Sequence, residues 1–207
     1  MFRKYTAGMV ILFSALWLAS STRAQEFSAD VVSRDPTGRV SSGKLYRGAN
    51  KIRFESAMPA QGNPDAGGRV IVDLAQKVSY GVLPGRQMIM VIRGKRSFEQ
   101  VKKFFPASDD PCRPLDEPAP PDASCKKLGD ETVNGRRTVK WEGTQMINRQ
   151  PLTARLWLDP QLHTYIKVQM TAGGAGSFEL QNIRVGPQPA SLFELPAGYQ
   201  RMDLGGR

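Results

Sequence analysis

Short runs of alternating apolar and polar residues, cut every ten residues or so by Gly, Pro, Asn or Asp, fill the chain from Phe27 onward. Alternation with period two sends successive side chains to opposite faces, so each run reads as a strand with one face to bury. The predicted strands cover 27–33, 40–47, 51–55, 69–73, 77–83, 87–92, 131–133, 137–141, 152–158, 162–171 and 177–185. Asp35-Pro-Thr-Gly38, Pro84-Gly85, Asn134-Gly135 and Asp159-Pro160 supply the turn chemistry between them. Residues 187–199 read as extended with one helical turn. One stretch breaks the pattern: Ser97 to Phe105 predicts a helix, with Ser97 as cap, Glu99 in its first turn and Lys102-Lys103 near its end. Internal repeats and coiled-coil heptads are absent. The expected fold class is mainly β, a curved antiparallel sheet forming an unclosed half-barrel with one or two covering helices.

The first residues follow a different rule. Arg3 and Lys4 precede an almost wholly apolar stretch from Ala7 to Leu18, and small or polar residues lead to Ala24. That order predicts a signal peptide over 1–24 and a single domain over 25–207. A retained N-terminal anchor is the alternative, although the apolar stretch is short for a membrane span. The expected location is periplasmic or secreted. Cys112 and Cys125 fit an oxidising compartment and bracket a Pro- and acid-rich segment, so a structural disulfide is expected. Closing a loop this short contributes roughly 3 kcal/mol in the chain-entropy model.

A single His and two Cys leave no donor set for zinc-finger arrays or haem attachment, and neither cofactor nor metal is expected. Residues 1–24 carry Arg3, Lys4 and Arg23 and no acid, so their removal lowers the formal charge from +10 to +7. Outside the cytoplasm, that surplus would meet an anionic membrane surface or an envelope protein, and no nucleic acid. Catalytic patterns are missing. There is no Gly-x-Ser-x-Gly, and His163 falls on the polar side of its strand without a sequence-local partner. Gly173-Gly-Ala-Gly176 lacks the Lys of a phosphate loop, and Asp109-Asp110 with Asp116-Glu117 read as a solvated loop. The expectation is a protein that is not an enzyme.

Strand alternation also says which side chains share a face. Leu162, Thr164, Ile166, Val168 and Met170 fall on one side of their strand, against His163, Tyr165, Lys167 and Gln169 on the other. Leu156 and Leu158 continue an apolar side, and Met88, Met90 and Ile92 alternate with the equally apolar Ile89 and Val91. Methionine adapts to variable apolar shapes. Met88, Met90, Ile92, Leu156, Leu158, Ile166, Val168 and Met170 are therefore the expected lining of a cavity for a hydrophobic ligand or acyl chain.

Several segments bear a family likeness. Phe27-Ser-Ala-Asp-Val-Val32, Gly43-Lys-Leu-Tyr46 and Asn50-Lys-Ile-Arg-Phe-Glu55 resemble the opening strands of the outer-membrane lipoprotein carrier family. Arg69-Val-Ile-Val-Asp73 with Lys77-Val-Ser-Tyr80 resembles its next pair, and Trp157-Leu-Asp-Pro160 with Phe178 to Val185 resembles its later strands. Ala190 to Tyr199 is similar to its Phe…Pro-x-Gly ending. The wider group includes the lipoprotein receptor and the periplasmic regulator of an envelope-stress anti-sigma factor. The resemblance implies an unclosed barrel with a helical lid over an apolar cavity that takes acyl chains. The family's lid-latching Arg falls at Gly48 here, so Arg47 is expected to point to the other face of its strand. Two functions follow as expectations: a binder of lipid or acyl chains in envelope lipid or lipoprotein handling, or a protein-interaction or stress-sensing module that uses the sheet as a platform.

Overall fold

The structure is a computed structural model that describes residues 25–56, 68–93, 105, 110–112, 123–147, 149–172 and 176–204. The expected signal peptide and nearly all of the Ser97–Phe105 helix lie outside these residues. Twelve strands form one sheet: β1 Phe27–Arg34, β2 Val40–Arg47, β3 Lys51–Ser56, β4 Arg69–Asp73, β5 Val78–Leu83, β6 Met88–Arg93, β7 Ser124–Val133, β8 Arg136–Ile147, β9 Gln150–Asp159, β10 Thr164–Ala172, β11 Gly176–Val185 and β12 Gln200–Leu204. Their order across the sheet is β12-β6-β5-β4-β3-β2-β1-β11-β10-β9-β8-β7. The sheet is not closed into a barrel, with β12 and β7 as its edges, and the mainly β half-barrel read from the pattern is correct. Among the described residues the only helical pieces are two short 3-10 turns, Pro84–Arg86 and Ala190–Phe193.

Local chemistry sets the hairpins. Asn134 and Gly135 both have positive φ (50° and 75°), the backbone twist that a two-residue turn between right-twisted strands needs. At the β1–β2 turn the Asp35 carboxylate accepts the Thr37 amide at 2.8 Å and the Arg39 amide at 2.9 Å. Asp159 does the same work after β9, accepting the Gln161 and Leu162 amides at 2.8 and 3.1 Å while pairing with Arg136 at 2.6 Å.

The two faces of the sheet are covered differently. One face carries Phe27, Ala29 and Val31 of β1, Leu45 of β2, Ile52 of β3, Val72 of β4 and Leu180 of β11, all buried in the larger core. The other face is covered locally by the chain's C-terminal part, where Leu195 and Tyr199 pack on Val78, Val82, Ile89 and Val91. Phe193 lies so close to Gly48 that a Cβ there would sit 2.9 Å from its ring, and Arg53 donates to the Leu192 carbonyl at 2.5 Å. The chain then adds β12 to β6 in parallel. That strand is not legible in the sequence: Gln200-Arg-Met-Asp-Leu204 is exposed throughout and carries too few apolar residues to announce itself.

Candidate functional site

The register lines up one face across half of the sheet. Leu45 pairs Phe54, and Phe54 pairs Val70; Ile52 pairs Val72; Val31 pairs Leu180, and Ser33 pairs Phe178. Six consecutive strands, β4-β3-β2-β1-β11-β10, curl these positions around a cavity of about 380 Å³. Its wall is Val31 and Ser33 of β1, Leu45 of β2, Ile52 and Phe54 of β3, Val70 and Val72 of β4, Thr164 and Tyr165 of β10 and Phe178 of β11, with Phe105 contributed from outside the strands. No described Lys, Arg, His, Asp or Glu lines it. Such a volume lies within the roughly 300–1,000 Å³ of small-molecule sites, and a mostly apolar wall with few polar groups is their usual make-up.

Tyr165 is the wall residue that alternation misassigns. Strict period two puts it on the polar side of its strand with His163 and Lys167. In the register, Tyr165 faces Leu158 while Lys167 already faces Trp157, so Ile166 is an extra residue on β10. That β-bulge breaks the period-two rule: Ile166 is fully buried in the core, and Tyr165 turns to the cavity, itself 7% exposed. His163 lies in the preceding turn with φ +49°, not in the strand. Burial pushes the Tyr165 phenol up to about 12 from its ordinary 10. The unfolded chain ionises this phenol near pH 10. The stability linked to the neutral folded form is therefore complete below pH 10 and is lost as pH rises through 12. Between those values wild type is expected to lose up to roughly 2–3 kcal/mol more than Tyr165→Phe in denaturant titrations. Parallel pH profiles of the two proteins would show this not to be so.

The eight residues expected to line a cavity share the face but not this wall. Met88, Met90 and Ile92 are half-buried on β6, toward the β12 edge. Leu156, Val168 and Met170 are half-buried on β9 and β10, where Leu156 pairs Val168. Leu158 and Ile166 are fully buried. The open volume gathers instead where β1–β4 curl toward β10 and β11. Arg47 corrects a second expectation. It pairs with Phe27 and Ile52 and so shares the cavity face, where its guanidinium lies 5.1 Å from the centroid of the Phe105 ring without joining the wall. Burial lowers its pKa from the ordinary value.

Elsewhere the chemistry is structural. Cys112 and Cys125 are disulfide-bonded, with Cα atoms 5.3 Å apart. On the opposite face Trp157 lies between Lys140 and Lys167, 4.8 and 5.1 Å from its ring. A smaller polar pocket of about 200 Å³ surrounds Asp30, whose carboxyl is held below its ordinary range by hydrogen bonds from Asn182 and then Lys44. Among the described residues no group of His, Cys, Asp and Glu is placed to hold a metal ion.

Solved structures share this architecture. An uncharacterised conserved protein from Thermus thermophilus superposes with a TM-score of 0.56 at 12% identity, covering 88% of this chain and 92% of that one. MucB gives 0.56 at 14% identity, covering 88% of this chain. The fold is that of MucB. It has the unclosed, mainly antiparallel sheet that the sequence resemblance implied. The chain spans 61% of MucB's length. MucB in the Pseudomonas aeruginosa MucA/MucB complex also matches, with a TM-score of 0.56 at 14% identity over 86% of this chain and 58% of that one. No protein-family model matches the sequence, and neither does any curated protein.

Proposed function

We propose that this is an exported, non-enzymatic binding protein that holds the acyl chain of a lipid or a similar hydrophobic moiety in its half-barrel, in the handling of envelope lipids or lipoproteins. The observation that carries this reading is the apolar cavity on the curled face of β1–β4 and β10–β11. Burying about ten methylenes at ~0.8 kcal/mol each contributes ~8 kcal/mol before the entropy of association is subtracted, so useful affinity needs no covalent step. A ligand longer than the cavity would run on along the same face, over Met88, Met90 and Ile92 in one direction or Leu156, Val168 and Met170 in the other. The Cys112–Cys125 disulfide supports an oxidising compartment, and the basic surface suits an anionic membrane from which such a ligand would come. The test is native mass spectrometry of the full chain purified without detergent from its own envelope, followed by titration with the apolar dye phenylnaphthylamine. A bound lipid, or saturable dye uptake by the emptied protein, is the expected result. A folded protein that is empty and takes up no dye overturns the reading.

A second reading, a module that docks an envelope protein, is favoured by a different observation. Strand β12 is exposed along its length and has one sheet neighbour, and Met202 and Leu204 on it are 47% and 41% exposed. Such an edge offers an unpaired backbone ladder to another chain, and MucB is itself solved with MucA.

A further inference from the structure

We infer that the cavity selects an uncharged acyl ester, whose carbonyl oxygen accepts a hydrogen bond from the Tyr165 hydroxyl; this rests on the apolar-ligand reading above and names the ligand class. Tyr165 stands on the wall as a neutral donor in an otherwise apolar setting. Among the described residues no partner meets its hydroxyl, and burial is the sole cause of its altered acidity. The hydroxyl is not among the side-chain atoms buried without a partner, so water reaches it in the open cavity; a ligand that displaces this water keeps the hydroxyl bonded only if it supplies an acceptor. The bulge at Ile166 is what brings the phenol there, at the expense of regular pairing between β10 and β9.

The wall also says what the acceptor is not. A carboxylate or phosphate drawn into this volume would lose its water with no described cation on the wall to replace it. Arg47 lies against Phe105 and does not join the lining. Ser33 and Thr164 add hydroxyls, and Thr164 already has a partner. The wall therefore matches a chain that carries one neutral oxygen acceptor, such as the ester of a glycerolipid, better than a bare hydrocarbon or an ionised fatty acid.

Three probes of matched chain length separate these cases: a monoacylglycerol, the corresponding glycerol alkyl ether, which lacks only the carbonyl, and the free fatty acid above its pKa. Competition against phenylnaphthylamine on the full-length protein is expected to rank the ester about 5- to 10-fold tighter than the ether, and tighter than the ionised acid. In Tyr165→Phe the ester and ether are expected to converge. Equal binding of ester and ether by the wild-type protein overturns the inference, as does a preference for the acid or an ester preference that survives in Tyr165→Phe. The wild-type ester–ether comparison needs no variant, so it decides the matter even if Tyr165→Phe folds poorly. If the dye and all three probes fail to bind, the apolar-ligand reading itself falls; if they bind without discrimination, only the choice of ester falls.

Discussion

Asp159→Ala is expected to lower folding stability by about 3–5 kcal/mol, a large effect for a single substitution outside the apolar core. Asp159 is 1% exposed. One carboxylate oxygen takes the Arg136 guanidinium at 2.6 Å, and the other takes the amides of Gln161 and Leu162. Alanine removes all three partners at once. It leaves Arg136, whose side chain is 21% exposed, with its charge uncompensated beside the core, and two turn amides without acceptors. Asp159→Asn should lose much less, because its side-chain oxygen can still accept from the turn. Denaturant titration with the disulfide intact measures both variants. An alanine variant within about 1 kcal/mol of wild type would show that the pair contributes little beyond its desolvation. The same turn fixes where β10 begins and buries Leu162 at 1% exposure. Loosening it should also disturb the bulge that presents Tyr165.

That turn marks the boundary between what the sequence disclosed and what it hid. Asp159-Pro160 is legible as a turn, and Asn134-Gly135 as a hairpin, because their residues carry the required backbone preference locally. The ranges of β2 and β4 agree with the alternating runs, and β1, β3 and β11 differ from them by one residue at an end. Strands β7 and β8 are far longer than their apolar cores, Glu131–Val133 and Arg137–Trp141, suggest. Their outer halves pair polar with polar, as Lys126 with Glu142 does, and hydrophobic alternation does not register such pairs. The site is less legible than the fold. Alternation correctly puts Val168 and Leu156 on the cavity side, but it cannot say where along that face the sheet curls away from its own core. It fails outright at Tyr165, because the inserted Ile166 puts Tyr165 and Val168, three residues apart, on the same face. No local sequence signal announces the slip: Lys167 beside Trp157 and a buried Ile166 both fit unbroken alternation, and only the register of β10 on β9 reveals the extra residue.

Filling the cavity should separate ligand binding from folding. Ser33 is half-buried on the wall, pairs with Ser41 and Phe178, and has a small side chain with open volume in front of it. Ser33→Trp puts an indole where a ligand's chain would lie. Displacing about four methylenes at ~0.8 kcal/mol each should weaken an acyl probe by about a hundred-fold. The same indole gains apolar contacts in the folded state, so the unfolding midpoint is expected to hold or rise, as cavity-filling changes commonly do. Loss of binding together with loss of stability would mean only that the sheet could not accept the ring. Unchanged binding at unchanged stability would place the ligand elsewhere, on the open face beyond β4 or at the β12 edge, and would transfer the case to the docking module. The opposed signs are what make the test discriminating: a residue that serves packing alone cannot be replaced so as to abolish binding while leaving the fold intact, whereas a residue facing a functional void can.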